Sequence, residues 1–282
     1  MNPAEYDRMD AVERDHWWYR GLRDLIGRSI RRLEAPRASL LRILDAGCGT
    51  GETLRWLNDR LHPAYLGGFD ISPVALARAA KKVPAADLYL ADICDPEVHV
   101  PELDLVLSCD AADVPGIDAA LPGLCRLVQA LRPGGMFILN LPAFSWLRSR
   151  HDVAVHSRQR FTRPQVHALF DKMGLVAELV TYRVWTLFPA IVLVRLPSIL
   201  RRPSDRSTAR SDVGVPWRTT NTILSSLLLF ENRVIDAGGR FPWGSSVFAV
   251  GRKPSVRDIS LSPAEPRSGF LAKHTGDRSR DA

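Results

Sequence analysis

The strongest chemical signal in this chain is a run of three glycines, Asp45-Ala-Gly-Cys-Gly-Thr-Gly51, set between a short apolar stretch and a helical one. Glycine lets a backbone turn tightly and bring its N–H groups against a ligand that a Cβ would hold off. A strand-to-helix turn of this kind presents a ligand at the C-terminal end of the first strand, at the switch point of an open α/β sheet. Gly47, Cys48, Gly49 and Gly51 are therefore candidate cradle residues. The third glycine arrives one residue too early for GxGxxG, and no GK[ST] follows, so a dinucleotide fingerprint and a P-loop are both excluded. Asp70 ends the next apolar run, where a carboxylate can accept bonds from both hydroxyls of a ribose. It could instead cap the helix that starts near Pro73, although Ser72 suits that role better. A second group lies downstream. His151, Asp152 and His156 fall within six residues, a spacing at which the carboxylate could orient one imidazole as a general base or substrate clamp. The alternative is two histidines fixed by hydrogen bonds within a loop. No metal is expected there, because a fourth ligand is lacking. Arg148, Arg150, Arg158, Arg160 and Arg163 surround this group, and guanidinium groups pair bidentately with phosphate or carboxylate. A solvated basic face reads the same way.

Such groups need a scaffold. Apolar runs at 40–47, 64–70, 87–92, 103–110 and 136–142 alternate with TLRWLNDRL, PVALARAAKKV and AALPGLCRLVQAL, each spaced like a helix with one buried face. Strand–helix alternation of this period predicts an α/β fold, a mostly parallel sheet with helices on both faces. Two further strands are expected at 175–185 and 246–253. A helix is expected over 11–34, stopped by Pro36. Between the last two strands lies an insertion with an apolar stretch at 187–200, a polar stretch at 201–214 and a helix from about Thr219 to Ile235. The expected organisation is an N-terminal helical cap (1–39), an α/β unit (40–185 plus 246–253), a helical insertion or lid (186–245) and an aperiodic, disordered tail (254–282).

Apolar residues make up 46% and charged residues 24% of the chain, which is ordinary for a protein with a sizeable core. The four cysteines form no CxxC pair, which argues against a zinc site or a disulfide scaffold and for a reducing compartment. The start carries no apolar h-region, and no apolar stretch is long enough to span a bilayer. A cytoplasmic protein is expected. The stretch 187–200 is broken by Pro189, Arg195 and Pro197, and suits a peripheral membrane contact or a lid. The net charge of +7 conceals an acidic block over 40–142 and a basic one over 143–218, the latter fitting an anionic partner or a solvated face.

DAGCGTG, the acidic residue closing the second strand, Asp92-Ile93 after the third, and LRPGGMFILNLP (131–142) together resemble class I S-adenosylmethionine-dependent methyltransferases. The resemblance covers about residues 40–185 and the strand at 246–253. It implies a Rossmann-like methyltransferase fold with seven strands and S-adenosyl-L-methionine as cofactor. Asp45 would then lie near the methionine end, Asp70 and Ile71 at the ribose, and Asp92 at the adenine amino group with Ile93 over the ring. Ser108, Cys109 and Asp110 would bring backbone groups to the amino acid moiety. DAADVPG (110–116) departs from the pattern of an acidic residue followed by histidine, so no such histidine is available as a base there.

DHWWYRGLRDLI (15–26) and NLPAFSWLRSRHDVAVHSRQRFT (140–162) resemble a bacterial subgroup of these enzymes. Gln159-Arg160-Phe161 stands where Arg-Arg-Tyr is usual in that subgroup, so no phenol role is carried over. These elements are expected to flank the acceptor's entrance. Trp17 and Tyr19 either wall that pocket or pack as core, and Arg150 and Arg160 are the candidate acceptor ligands. The expected function is methyl transfer to a small or lipid-linked metabolite, at oxygen, with an anionic acceptor favoured by the arginines. The rival is a membrane-surface or partner-binding module that keeps the fold without turnover. Nucleic acid is disfavoured, because no NPPY-like motif follows the fourth strand.

Overall fold

The computed structural model describes residues 3–33, 38–201 and 216–255. The expected disordered tail, apart from Pro254 and Ser255, and all of the polar stretch except Arg201, lie outside the described residues. Seven strands form one sheet: β1 (Arg42–Ala46), β2 (Tyr65–Asp70), β3 (Asp87–Leu90), β4 (Leu103–Cys109), β5 (Leu131–Pro142), β6 (Val176–Arg183) and β7 (Ser246–Arg252). Their order is β3-β2-β1-β4-β5-β7-β6. The first five are parallel, and β7 lies antiparallel between β5 and β6. This is the Rossmann-like, mostly parallel sheet that the alternation predicted. The chain winds outward from β1 to β3 and then returns to place β4 on β1's other side. The strand order therefore reverses between β1 and β4, and a crevice opens above their C-terminal ends.

Leu103 to Ser108 are buried throughout, as a central strand covered on both faces must be. On one face α5 (Ile117–Ala130) and α7 (Arg163–Met173) press Leu124, Leu127, Val166 and Phe170 against the sheet. On the other, α2 (Trp17–Ile30), α3 (Glu52–Leu61) and α9 (Arg218–Asp236) contribute Leu25, Ile26, Leu54, Leu57 and Ile235. The α9 part of the insertion packs against α2. Asn221 of α9 accepts from Trp17 N, Asn232 donates to Gly21 O, and Asp236 pairs with Arg28, Arg31 and Arg32. Gly21 is required here, since a Cβ would come 2.7 Å from Leu228 Cδ1. The apolar stretch forms α8 (Phe188–Arg201). No helix among the described residues is long and apolar enough to cross a membrane.

The single helix expected over 11–34 is a correction. Two helices are present, α1 (Pro3–Val12) and α2, with a break at 13–16. Buried Arg23 stabilises the break by donating to the carbonyls of Glu13 and Arg14. His16 then starts α2 afresh, its Nδ1 accepting from Trp18 N. The break turns α1 across α4 (Pro73–Lys82), where Asp7, Asp10 and Glu13 pair with Arg78 and Lys82.

Candidate cofactor and acceptor site

The glycine turn joins β1 to α3 at the crevice. Gly47, Gly49 and Gly51 all have left-handed φ, at 84°, 55° and 86°. The amides of Gly47 and Cys48 both donate to Phe69 O at 2.9 Å, tying the turn to the end of β2. A Cβ on Gly47 would come 2.4 Å from Ala111 Cβ, and one on Gly51 would come 2.6 Å from Ala79 Cβ. No side chain caps the first turn of α3, so its leading amides face the crevice.

Asp70 sits at the β2 end, largely buried. Its Oδ2 accepts from Gly49 N at 3.0 Å and its Oδ1 from Ser72 N at 2.9 Å. Burial raises its pKa against the opposing pull of those amides. Each oxygen keeps lone-pair capacity for a ribose hydroxyl. Ser72 caps α4 through Ala75 N, which removes the alternative that Asp70 is the cap. Asp92 is exposed beyond β3 and turns its Oδ1 to Cys94 N, with Ile93 buried beside it. Ile71 is 65% exposed. Asp45 is buried at the β1 end, and its carboxyl is pushed up to about 7 by burial and by the charge of Asp70. Helix α1 roofs this side. Tyr6 is buried and bonded to Ser72 near Asp70, and Met9 Cε lies 3.0 Å from where a Gly49 Cβ would stand. Neither residue was evident in the sequence, because α1 has no strong apolar periodicity.

Across the turn, the β4 end opens a second cleft. Asp110, in left-handed conformation (φ 54°), receives both of its carboxylate contacts from Asn140 Nδ2, at 3.0 and 2.9 Å. Its side chain is exposed in part, while the surrounding protein atoms limit hydration of its carboxyl. That burial and the charge of Asp113 push its carboxyl up to about 7, against Arg183 and the Asn140 bond. Arg183, from the end of β6, is 1% exposed. Its guanidinium stands 4.8 Å over the Trp18 ring and donates to Trp18 O and Asn140 Oδ1. Its Nε finds no partner among the described residues. Burial lowers its pKa to about 10, so it remains cationic at neutral pH. Tyr19 is half-buried, and its phenol is pushed up first by burial and then by Glu13 and Asp110. Burial also holds the half-buried Cys109 thiol protonated, with Asp45 and Asp110 adding to the effect.

A family profile described as "Methyltransferase domain" matches residues 43–135, from β1 through the glycine turn to β5. The chain carries a class I S-adenosylmethionine-dependent methyltransferase domain. The chain is 32% identical over 115 residues to a trans-aconitate 2-methyltransferase of Variovorax paradoxus, covering 40% of this chain and 42% of that protein. It is 36% identical over 170 residues to the biotin biosynthesis bifunctional protein BioCD of Bordetella avium, covering 59% and 36% respectively. The chain thus spans about two fifths of the length of the curated relatives it matches. A Haloferax volcanii methyltransferase, solved with the Trm112 activator, shares the fold at TM-score 0.56 and 18% identity, over 89% of this chain and 95% of that one. A Haemonchus contortus phosphoethanolamine N-methyltransferase solved with S-adenosyl-L-methionine does so at 0.51 and 21%, over 80% and 51%.

The residues of this methyltransferase domain suit the cofactor its family uses. A left-handed glycine turn, uncapped helix amides and a carboxylate with spare lone pairs stand together at the switch point. The post-β5 element is placed less as expected. Asp152 is buried, and its Oδ1 takes Arg160 Nε and Nη2 at 2.7 Å while Oδ2 takes Ser149 N and Oγ. Arg160 gives its remaining donor to Ala143 O. Two readings are corrected by these contacts. Asp152 is engaged by a guanidinium where an imidazole was expected, and Arg160 is committed inside the protein and not to an acceptor. Arg148 likewise donates to Ser157 O and Arg158 O. His156 is exposed with left-handed φ of 62°, and the side chains of Arg150 and His151 lie outside the described residues. Trp17 is half-buried, its ring 5.3 Å from that of His16. An arginine that sequence reasoning missed is Arg183, buried beside Asn140 and Trp18 and set in a strand pattern with no local motif to single it out.

Proposed function

We propose that the protein transfers the methyl group of S-adenosylmethionine to an oxygen of a small molecule. The observation that carries this is the pairing of two halves at one switch point. The glycine turn with Asp70 lies on one side, and the solvent-open cleft of Asp110, Tyr19 and Trp18 lies on the other. When bound, the cofactor supplies an electrophilic methyl group for in-line displacement. Asp70 accepts the ribose hydroxyls, Asp92 and Ile93 hold the adenine, and Asp45 with the Cys109 region receives the methionine end. Tyr6 and Met9 close the roof, so the protein's work is alignment and exclusion of water. The trans-aconitate relatives favour a small carboxylic acid as acceptor, whose oxygen needs no base. A hydroxyl acceptor would need one. Label from methyl-labelled S-adenosylmethionine separates these cases. Label passed to trans-aconitate or a related acid is released by mild base as an ester's alcohol, whereas label on a hydroxyl is base-stable. Absence of transfer to any small-molecule fraction of a cell extract would refute the proposal.

A second reading concerns where the acceptor resides. Leu193 and Val194 of α8 are 69% and 79% exposed, and Arg195 of that helix donates to Leu147 O in the post-β5 element. An apolar helix face beside the expected acceptor entrance favours a lipid-linked acceptor or a peripheral membrane contact. Co-sedimentation with anionic phospholipid vesicles, lost in Leu193→Glu/Val194→Glu, supports it. Equal recovery of both proteins in the supernatant rejects it.

A further inference from the structure

Asp110 stands where a ligand's charge would be read. Ala111, the next residue, packs directly on Gly47 of the cofactor turn. With Asp70 and Asp92 on the β2 and β3 side, the remainder of a ligand crossing the glycine turn extends toward β4, and Asp110 ends that approach. Its carboxylate is clamped by the Asn140 amide, whose Oδ1 in turn accepts from Arg183 at 3.4 Å. Asp110 is open to solvent while Arg183 is sealed behind it against Trp18.

We propose that Asp110 distinguishes the sulfonium form of the cofactor from its demethylated thioether by charge, favouring the donor and releasing the product. The inference rests on the cofactor reading above. Methyl transfer removes one positive charge from sulfur, so a carboxylate at this place attracts the donor and is indifferent to the product. The guanidinium behind it makes the device responsive to protonation. With Asp110 ionised, the Asp110–Arg183 pair is neutral as a whole and presents its negative end to the crevice. With Asp110 protonated, the guanidinium keeps only the weaker pull of buried Glu231, and the crevice loses its negative end. Of the other groups facing Asp110, the carboxyls of Asp113 and Asp45 titrate in the same range and must be separated from it. Arg160 is committed to Asp152. The Tyr19 phenol and Cys109 thiol stay neutral because burial raises both. Asp113 is pushed up to about 6 by burial and is bonded to Ser157. Asp45 is a second carboxyl raised to about 7 on the neighbouring strand end.

The test is calorimetric titration of the whole protein with S-adenosylmethionine and with S-adenosylhomocysteine at about pH 5.5 and pH 7.5. Buffers of different ionisation enthalpy count the protons exchanged. For the wild type, the ratio of donor to product affinity should rise about tenfold between the two pH values, with proton release on binding the donor alone. Asp110→Asn should bind the product as before, with a ratio that no longer depends on pH. Asp110→Glu should restore part of the dependence. The ligands ionise identically in every titration, so the difference between variants isolates the protein's group. A flat ratio in the wild type overturns the inference, as does a rise that survives Asp110→Asn, whether Asp45→Asn or Asp113→Asn then removes it. If the wild type binds neither ligand, the cofactor reading itself falls and takes the inference with it.

Discussion

Replacing Asp152 with alanine should unfold the protein more easily instead of merely slowing it. Asp152 and Arg160 are 2% and 7% exposed, and their 2.7 Å contacts hold the post-β5 segment against Ala143 at the end of β5. Truncating the carboxylate leaves a buried guanidinium with one backbone partner and frees two Ser149 donors. Breaking a buried pair from one side costs about 3–5 kcal/mol. Against a total stability of about 5–15 kcal/mol, that is a large share. It should lower Tm by about 6–15 °C in a domain of this size. Replacing both partners, as Asp152→Leu/Arg160→Met, should recover most of the loss, because neither charge is then stranded. Urea melts followed by the fluorescence of the seven tryptophans give the midpoints. Burial alone would raise the Asp152 pKa, but Arg160 and the Ser149 amide hold it below the usual carboxylate range. The pair's contribution is therefore present above the unfolded carboxylate value and lost as pH falls through the folded one. The alanine variant should lack that part of the acid transition. An unchanged urea midpoint with turnover abolished would refute this reasoning and return Asp152 to a catalytic role.

Other consequences follow from single contacts. Gly51→Ala should cost about 2–5 kcal/mol, combining left-handed strain with a methyl pushed into Ala79, and should abolish cofactor binding even where a folded fraction persists in the melt. Asp45, Asp110 and Asp113 all have raised folded pKa values. The native state therefore holds more protons than the unfolded chain between about pH 4 and 7, and these groups' contribution falls as pH rises through that window. Asp45→Asn should accordingly stabilise the ligand-free protein at pH 8 by roughly 1–3 kcal/mol; equal midpoints for variant and wild type would contradict the assignment. The ion pairs between α1 and α4 are partly exposed, so Arg78→Ala should leave the melting midpoint nearly unchanged. It should nevertheless speed release of S-adenosylhomocysteine several-fold in stopped flow, because α1 roofs Asp70; an unchanged rate would show that α1 does not gate release.

The sheet and the glycine turn beside Asp70 were legible because their signals are local. Apolar runs between helical spacings give strands, and the DAGCGTG turn and Asp70 sit on consecutive strand ends where short-range geometry dictates their surroundings. The cluster around Arg183 was not, because it is assembled from distant segments. Arg183 reaches Trp18 through the docking of α2 on α9, and Asp110 by way of Asn140 on β5. His151, Asp152 and His156 suggested a catalytic group by composition, yet an arginine eight residues from an aspartate can equally close a buried internal pair, and Arg160 does so here. The break between α1 and α2 was hidden for a similar reason. Arg23 satisfies the carbonyls of Glu13 and Arg14 from within the next helix, a contact that helical periodicity does not reveal.

The central claim is that the crevice between β1 and β4 binds S-adenosylmethionine with its ribose on Asp70. Isothermal titration of S-adenosylhomocysteine into the wild type and into Asp70→Ala tests it directly. Binding in the micromolar range, about −8 kcal/mol, is predicted for the wild type. The variant should lose roughly 1.5–3 kcal/mol of this, the worth of hydrogen bonds to a charged group, while keeping its melting behaviour. Equal affinity in the two proteins, or no binding by the folded wild type, would contradict the account.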